Sequence, residues 1–251
     1  MDKTASFRFV GALNDFLPKA QKEKAIRYSF GGTPAVKDAI EALGVPHPAV
    51  AVIVINKKPV AFNYWLQAED TVEVYPQEYP TKWPQAPKLR VELPQPPAFI
   101  LDVHLGKLAK SLRLLGFNTI YENNYDDQTI ADRAAAENRV VLTRDIGLLK
   151  LRIVQWGYWL RSQNSEKQLA EVLAHYNLFN KVQPFTRCLM CNGLLLNVPK
   201  EAVLTQLPPK TKIYFQEFHQ CQTCRRVFWK GSHYERMEQY VQQLHLPETD
   251  R

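Results

Sequence analysis

Two sets of residues in this chain have types and spacing that could do chemistry. The first is a set of aspartates. Asp102 ends the run "FILD", Asp126 and Asp127 stand together in "NYDDQT", and Asp145 follows "VVLTR". A carboxylate at the end of an apolar run is costly to desolvate unless something compensates it. Carboxylates held together repel, so at neutral pH such a cluster keeps a proton or gathers a cation. Mg²⁺ and Mn²⁺ prefer oxygen ligands, and either ion can activate water and stabilise charge on a phosphoryl oxygen. Metal-dependent phosphodiester hydrolysis is the chemistry this set would support. A plainer reading stands beside it. Asp126 and Asp127 could cap the helix that follows, with Asn124 as N-cap and Asp127 at N3, and Asp145 could cap "IGLLKLR".

The second set is the four cysteines. "CLMC" supplies Cys188 and Cys191, and "CQTC" supplies Cys221 and Cys224, giving C-x₂-C-x₂₉-C-x₂-C. Two thiolates three positions apart can take adjacent corners of a tetrahedron, and two such knuckles close a Cys₄ zinc site. The long insert costs less than about 0.6 kcal/mol in extra loop closure. A structural zinc contributes on the order of 10 kcal/mol. Two disulfides are the competing reading, disfavoured for a chain kept in a reducing compartment. A redox-active pair lacks its usual βαβ setting around both knuckles. His219 and His233 could be ligands only if a cysteine were displaced. Four thiolates leave no open position, so the expected zinc is structural.

Basic residues accompany both sets. Lys107, Lys110 and Arg113 fall on a slanted stripe opposite the leucines of one helix, where they could meet RNA phosphates or form a solvated face. "RRVFWKGSHYERM" after the second knuckle mixes cations with rings, including Trp229, Lys230, His233 and Arg236. Rings can stack on unpaired bases while cations meet phosphates. Alternatively, Val227, Phe228 and Trp229 form the buried strand of a zinc ribbon.

The aspartates need elements to position them. "AFILDV", "FNTIYE" and "RVVLT" read as strands separated by the helices "LGKLAKSLRLLG" and "DDQTIADRAAAE", and "GYWLR" could be a fourth strand. Leu105, Leu108, Leu112 and Leu115 share one side of the first helix. The helix "SEKQLAEVLAHYNLF" follows, with Ser165 and Gln168 at capping-box spacing. Strand–helix–strand order implies a parallel sheet with crossover helices, whose ligands gather beyond the carboxyl ends of the strands. Asp102, Asp126, Asp127 and Asp145 all belong to that edge by sequence position.

Upstream lies a separate module. "ASFRFVGALNDFL" suggests a strand, and a helix follows from Thr33 or Pro34 with Val36, Ile40 and Leu43 on one face and Gly44 to end it. "AVAVIVINKKPVAF" reads as a strand pair turned at "NKKP", and "DTVEVYP" as a last strand. This order suggests a small β-grasp domain. Between Pro76 and Pro97 lie 7 of the 17 prolines, a semi-rigid linker by composition. The expected domains are therefore 1–76, a linker at 77–97, 98–184, and 185–251.

Bulk properties bound the partners. Net charge is +7 over 251 residues, spread as +2, +2 and +3 across 1–97, 98–184 and 185–251, so no polybasic tail does the binding. A basic balance permits a polyanion without demanding one. The longest apolar run, "AVAVIVI", is too short to span a bilayer, and the first residues lack the pattern of a signal peptide. A cytoplasmic location without a membrane partner is the expectation.

Taken together, "FILDVHLGKLAKSLRLLGFNTIY", "DDQTIADRAAAENRVVLTRDIGLL", "RCLMCN" and "CQTCRRVFWKGSH" resemble the PIN-type ribonuclease family named after the carboxyl-terminal domain of the mut-seven exonuclease, over about residues 98–245. Residues 5–76, with "FRF", "LNDFL", "IEALGVPH" and "VEVYP", resemble the ubiquitin-like domain often found in front of it. The resemblance implies a PIN-like α/β domain, a zinc ribbon and RNA cleavage dependent on Mg²⁺ or Mn²⁺. By position it implies Asp102, Asp127 and Asp145 as the acids, with Asp126 as the fallback for the middle one. Arg144 or Lys107 would steady charge. The broader PIN pattern often carries a fourth acid after the next strand; "GYWLRSQNS" has none, although Ser162 or Asn164 could lend an oxygen. The β-grasp module runs into "VYPQEYP" without a terminal Gly-Gly, which favours docking over sulfur carriage or conjugation. The expected function is a ribonuclease of RNA processing or decay. The rivals are a non-catalytic RNA- or ribosome-binding module and a protein-interaction adaptor acting through the β-grasp domain.

Overall fold

The computed structural model describes residues 3–77 and 86–244, so most of the "PQEYPTKWP" part of the linker lies outside the described residues. By contacts the chain forms two compact units, one of residues 1–93 with 145–159 and the other of 94–144 with 160–251.

The first unit contains a mixed five-stranded sheet. Its strands are β1 (Lys3–Phe9), β2 (Ile26–Phe30), β3 (Val52–Ile55), β4 (Lys58–Val60) and β5 (Thr71–Tyr75), in the order β2-β1-β5-β3-β4. β1 and β5 are parallel, in the register Phe7↔Val72 and Phe9↔Val74, and the other pairs are antiparallel. Helix α1 (Val36–Ala42) buries Val36, Ala39 and Ile40 in the same core as Phe7, Phe9, Val72 and Val74. Gly44, with φ +110°, ends the helix as its composition predicted. This is the ubiquitin-like sheet with one added finding. β2, "IRYSF", was not read as a strand, because only its two ends, Ile26 and Phe30, are buried.

Residues 145–159 complete this unit with the short helix α4 (Ile146–Leu149) and the strand β9 (Gly157–Trp159). Lys150 Nζ donates to the Glu41 carbonyl at 2.7 Å, and Trp156 Nε1 donates to the Val91 carbonyl at 3.2 Å. A ring nitrogen of His47 lies 2.7 Å from the Val154 carbonyl oxygen, and the Phe16 and Trp159 rings are 5.1 Å apart.

The second unit is built on β6 (Ala98–Leu101), α2 (Gly106–Leu114), β7 (Thr119–Ile120), α3 (Asp127–Ala136) and β8 (Arg139–Thr143). Within this unit the sheet runs in the order β7-β6-β8, with β7 and β8 both parallel to β6. β8 is buried at every position, as a strand covered on both faces must be. The four leucines expected on one side of α2, Leu105, Leu108, Leu112 and Leu115, are all buried. Gly116 ends α2 at φ +91°, where a Cβ would stand 2.3 Å from the Gln183 carbonyl oxygen, so only glycine fits. Helix α5 (Ser165–His175) is capped by Asn164, whose side chain accepts from the N–H groups of Glu166 and Lys167. The expected capping box at Ser165 and Gln168 is thus displaced by one residue. Gln168 instead donates to the Ser162 carbonyl at 2.9 Å.

The cysteine-bearing part contains β10 (Leu195–Val198), α6 (Pro209–Tyr214), β11 (Phe218–Cys221), β12 (Val227–Trp229) and α7 (Ser232–Gln243), with β10-β11-β12 an antiparallel sheet. Val203, Leu207 and Phe218 form a small core with Val198, Phe215, Val227 and Trp229. The 29-residue insert therefore supplies a strand, a helix and core residues of its own. Among the described residues no helix is long and apolar enough to cross a membrane.

Candidate active site and cysteine cluster

Asp102 follows β6 directly, and backbone hydrogen bonds hold it there: its N–H donates to the Leu142 carbonyl at 3.1 Å, and its carbonyl accepts from Leu105 N–H at 3.0 Å. The residue is buried, at 8% exposure. Its Oδ2 accepts from the hydroxyl of Thr143, itself fully buried at the end of β8, at 2.9 Å. Thr143 was not picked out in the sequence, although its place before Arg144 and Asp145 was the signal. Asp102 Oδ1 takes part in none of the described hydrogen bonds.

Asp126 and Asp127 lie at the start of α3 and are both exposed. Asp126, not Asn124, is the N-cap: its Oδ1 accepts from Thr129 N–H at 2.7 Å, and Asp127 is the first helical residue rather than N3. The Thr129 hydrogen bonds hold the Asp126 carboxyl below the usual carboxylate range. Asp145 is exposed and is the N-cap of α4, with Oδ1 accepting from Gly147 N–H at 2.6 Å. The capping roles of Asp126 and Asp145 are therefore real. Asp102 and Asp127 belong to the second unit and Asp145 to the first.

The basic candidates separate. Lys107, Lys110 and Arg144 are exposed. Arg113 leaves the expected stripe: it is buried, and its guanidinium donates to the carbonyls of Thr119, Leu189 and Met190. The side chain is long enough to reach back over its helix and bind the first knuckle. Burial lowers its pKa despite the neighbouring acidic groups. In the last segment, Trp229 is half-buried in the small core, Lys230 pairs with Glu217 at 2.7 Å, and His233 and Arg236 are exposed on α7.

The four cysteines converge. Cys188, Cys191, Cys221 and Cys224 place their sulfurs within 4.8 Å of one another, and they are the group of three or more His, Cys, Asp or Glu side chains so gathered among the described residues. Across the knuckles, Cys188 and Cys224 are 3.7 Å apart, and Cys191 and Cys221 are 3.4 Å apart. The structure joins none of the four in a disulfide. Burial raises the Cys188 thiol and pushes Cys191 up to about 12. Burial acts the same way on Cys221, but hydrogen bonds from the backbone N–H groups of Cys224 and Thr223 and from the Cys191 and Cys224 side chains together outweigh it and bring that thiol down to about 7. Proton sharing of this kind is what a bound cation would replace.

Residues 97–241 match the family model described as the Mut7-C RNAse domain, and residues 2–82 match the one described as Mut7-C ubiquitin. No curated protein and no solved structure matches the chain. The first match spans more than half of the chain and takes in both the parallel sheet and the cysteine cluster, so the protein belongs to the Mut7-C RNase domain family.

Proposed function

We propose that this chain is a divalent-metal-dependent ribonuclease acting in RNA processing or decay, from the cytoplasm. The observation that carries the proposal is Asp102: a buried carboxylate directly after a parallel strand, with one oxygen on Thr143 and the other outside the described hydrogen bonds, in a chain of this family. Carboxylate and hydroxyl oxygens are a donor set that suits Mg²⁺ or Mn²⁺. Asp102, Asp127 and Asp145 would hold the ion, with Asp126 the substitute for the middle acid. A bound ion would supply water activated at neutral pH and charge neutralisation at phosphorus. The Thr143 hydroxyl fixes the Asp102 rotamer, and Arg144 and Lys107, both exposed, would meet the phosphoryl oxygens. Incubation with single-stranded RNA and Mn²⁺ tests this. Wild-type protein is expected to yield products and Asp102→Asn to yield none, and equal cleavage by the two would rule the proposal out.

The cysteine cluster is proposed to bind structural zinc. A tetrahedron with Zn–S bonds of about 2.3 Å has edges of about 3.8 Å, close to the 3.4 and 3.7 Å separations across the knuckles.

A second reading, RNA or ribosome binding without cleavage, is favoured by one observation. The strand β9 leads into Leu160, Arg161 and Ser162 with no acid. The N–H groups of Arg161 and Ser162 instead donate to Glu171 of α5, at 3.0 and 3.1 Å. RNA retention without product in Mn²⁺ would select this reading.

A further inference from the structure

Within the second unit lies a cleft of about 330 Å³, bounded by residues after α2 and β7 and by the first cysteine knuckle. Four arginines line it, Arg113, Arg133, Arg139 and Arg187, against one carboxylate, Glu122. Two of the four are spent. Arg113 is bound to backbone carbonyls, and Arg133 is bound to Glu137 and the Tyr125 hydroxyl.

The other two are held but not used up. Arg139 donates from Nε to Glu137 at 2.8 Å, and from Nη1 to the Phe99 carbonyl at 3.2 Å and Asn118 Oδ1 at 2.9 Å. Arg187 donates from Nε to the Gly116 carbonyl and from Nη1 to the Asn192 carbonyl, each at 3.0 Å. Among the described residues, no hydrogen bond engages Nη2 of either. Asn192 locks the frame, donating to Asn118 Oδ1 at 2.7 Å and accepting from Thr119 N–H at 2.9 Å. Two guanidinium groups, each fixed by two of its nitrogens and each keeping an unengaged Nη2, thus line one cleft. Arg139 is 8% exposed, so its charge is poorly hydrated. An anion relieves both the repulsion and the missing hydrogen bonds.

The geometry points to a nucleotide bound through its phosphate, with Arg139 and Arg187 on the phosphate oxygens. Guanidinium forks match phosphate geometry. The volume lies at the lower end for small-ligand sites, as a single nucleotide requires. The half-buried ring of Tyr121 on the cleft wall suits stacking on a base, while the Tyr125 ring already carries the Arg133 guanidinium over it at 5.5 Å. Glu137 pairs with both Arg133 and Arg139, so with Glu122 two carboxylates face the four arginines, and the excess of positive charge is better balanced by a phosphate monoester, with its second negative charge, than by a diester. In RNA that group is a chain end. Tyr121 also ties the cleft to the acidic edge, its hydroxyl donating at 2.8 Å to the carbonyl of Val103, the residue after Asp102.

The inference does not rest on cleavage, because binding is read with no Mg²⁺ or Mn²⁺ added. Titration calorimetry on the full zinc-loaded chain compares adenosine 5′-monophosphate, adenosine and inorganic phosphate. The monophosphate is expected to bind at least about tenfold more tightly than adenosine. Arg187→Gln is expected to abolish that difference, and Asp102→Asn to keep it. Glu122→Gln removes the opposing charge from an exposed side chain and is expected to tighten monophosphate binding about two- to threefold. This arm decides the matter if Arg187→Gln fails to fold. A pentanucleotide with a 5′-phosphate should outbind the same RNA without one. If instead free nucleotide binds and the two RNAs do not differ, the site takes free nucleotide only, and its assignment to RNA ends is overturned. Equal binding of monophosphate and adenosine, or no response to Glu122→Gln, would overturn the phosphate site itself.

Discussion

A buried carboxylate persists when a donor meets it, and for Asp102 that donor is the Thr143 hydroxyl at 2.9 Å. Thr143→Val keeps the shape and removes the donor. The expected cost is about 1–2 kcal/mol in urea unfolding, because the acid stays buried with a lost partner, and Mn²⁺-dependent RNA cleavage should fall with it. Asp126 gives a pH prediction. Its folded pKa is depressed by the Thr129 hydrogen bonds, so its contribution is present above the ordinary carboxylate range and is lost as pH falls through the lowered folded value. The melting difference between wild type and Asp126→Asn should hold steady from neutral pH downward and shrink below about pH 4. A constant difference would mean that the carboxylate charge plays no part. Residue-scale detail was only partly legible in the sequence. "ENNYDDQ" offers several capping residues, and the backbone turn alone decides that Asp126, not Asn124, is the one used.

At the scale of elements, the crossover order was legible because its signals are strong: leucines at helical spacing in α2 and an unbroken apolar run in β8. β2 was not, since its buried ends enclose polar residues and a tyrosine. Nor were the strand and helix inside the cysteine insert, where β10 buries no residue fully. Arg113 shows why periodicity misleads. Its position belongs to the polar stripe, yet its head sits under the first knuckle with carbonyl partners at 2.9–3.0 Å. Arg113→Met should therefore cost about 2–4 kcal/mol in chemical denaturation, since buried carbonyls lose their donor, whereas Lys110→Met on the exposed side should cost little. The zinc proposal predicts that a strong chelator or Cys191→Ser lowers the melting temperature and exposes the ribbon to protease. Near one zinc per chain by elemental analysis is the matching count, and a metal-free protein with unchanged melting would contradict it.

For the molecule as a whole, one boundary between the compact units falls inside the proline-rich stretch, at residues 93 and 94, but it is not the only place where the chain passes from one unit to the other. Residues 145–159, which follow the third parallel strand, belong by contacts to the ubiquitin-like unit. Composition marks where a chain is stiff and polar, but it carries no record of which distant segment a domain's surface accepts. Nicking between residues 78 and 93 is expected to leave the two fragments co-migrating in gel filtration, and separation without denaturant would contradict the shared unit.

That interleaving bears on how such a protein could be inherited or re-engineered. Leu148, Leu149, Val154 and Trp156 are buried, and Glu41, His47 and Val91 hydrogen-bond the segment that carries them. A shuffled gene that joined the Mut7-C RNase part to a foreign leader would leave those side chains wet and the segment beginning at Asp145 without its seat. The two halves are thus obliged to travel as a pair, less like beads on a string than like a lock built around part of its own key.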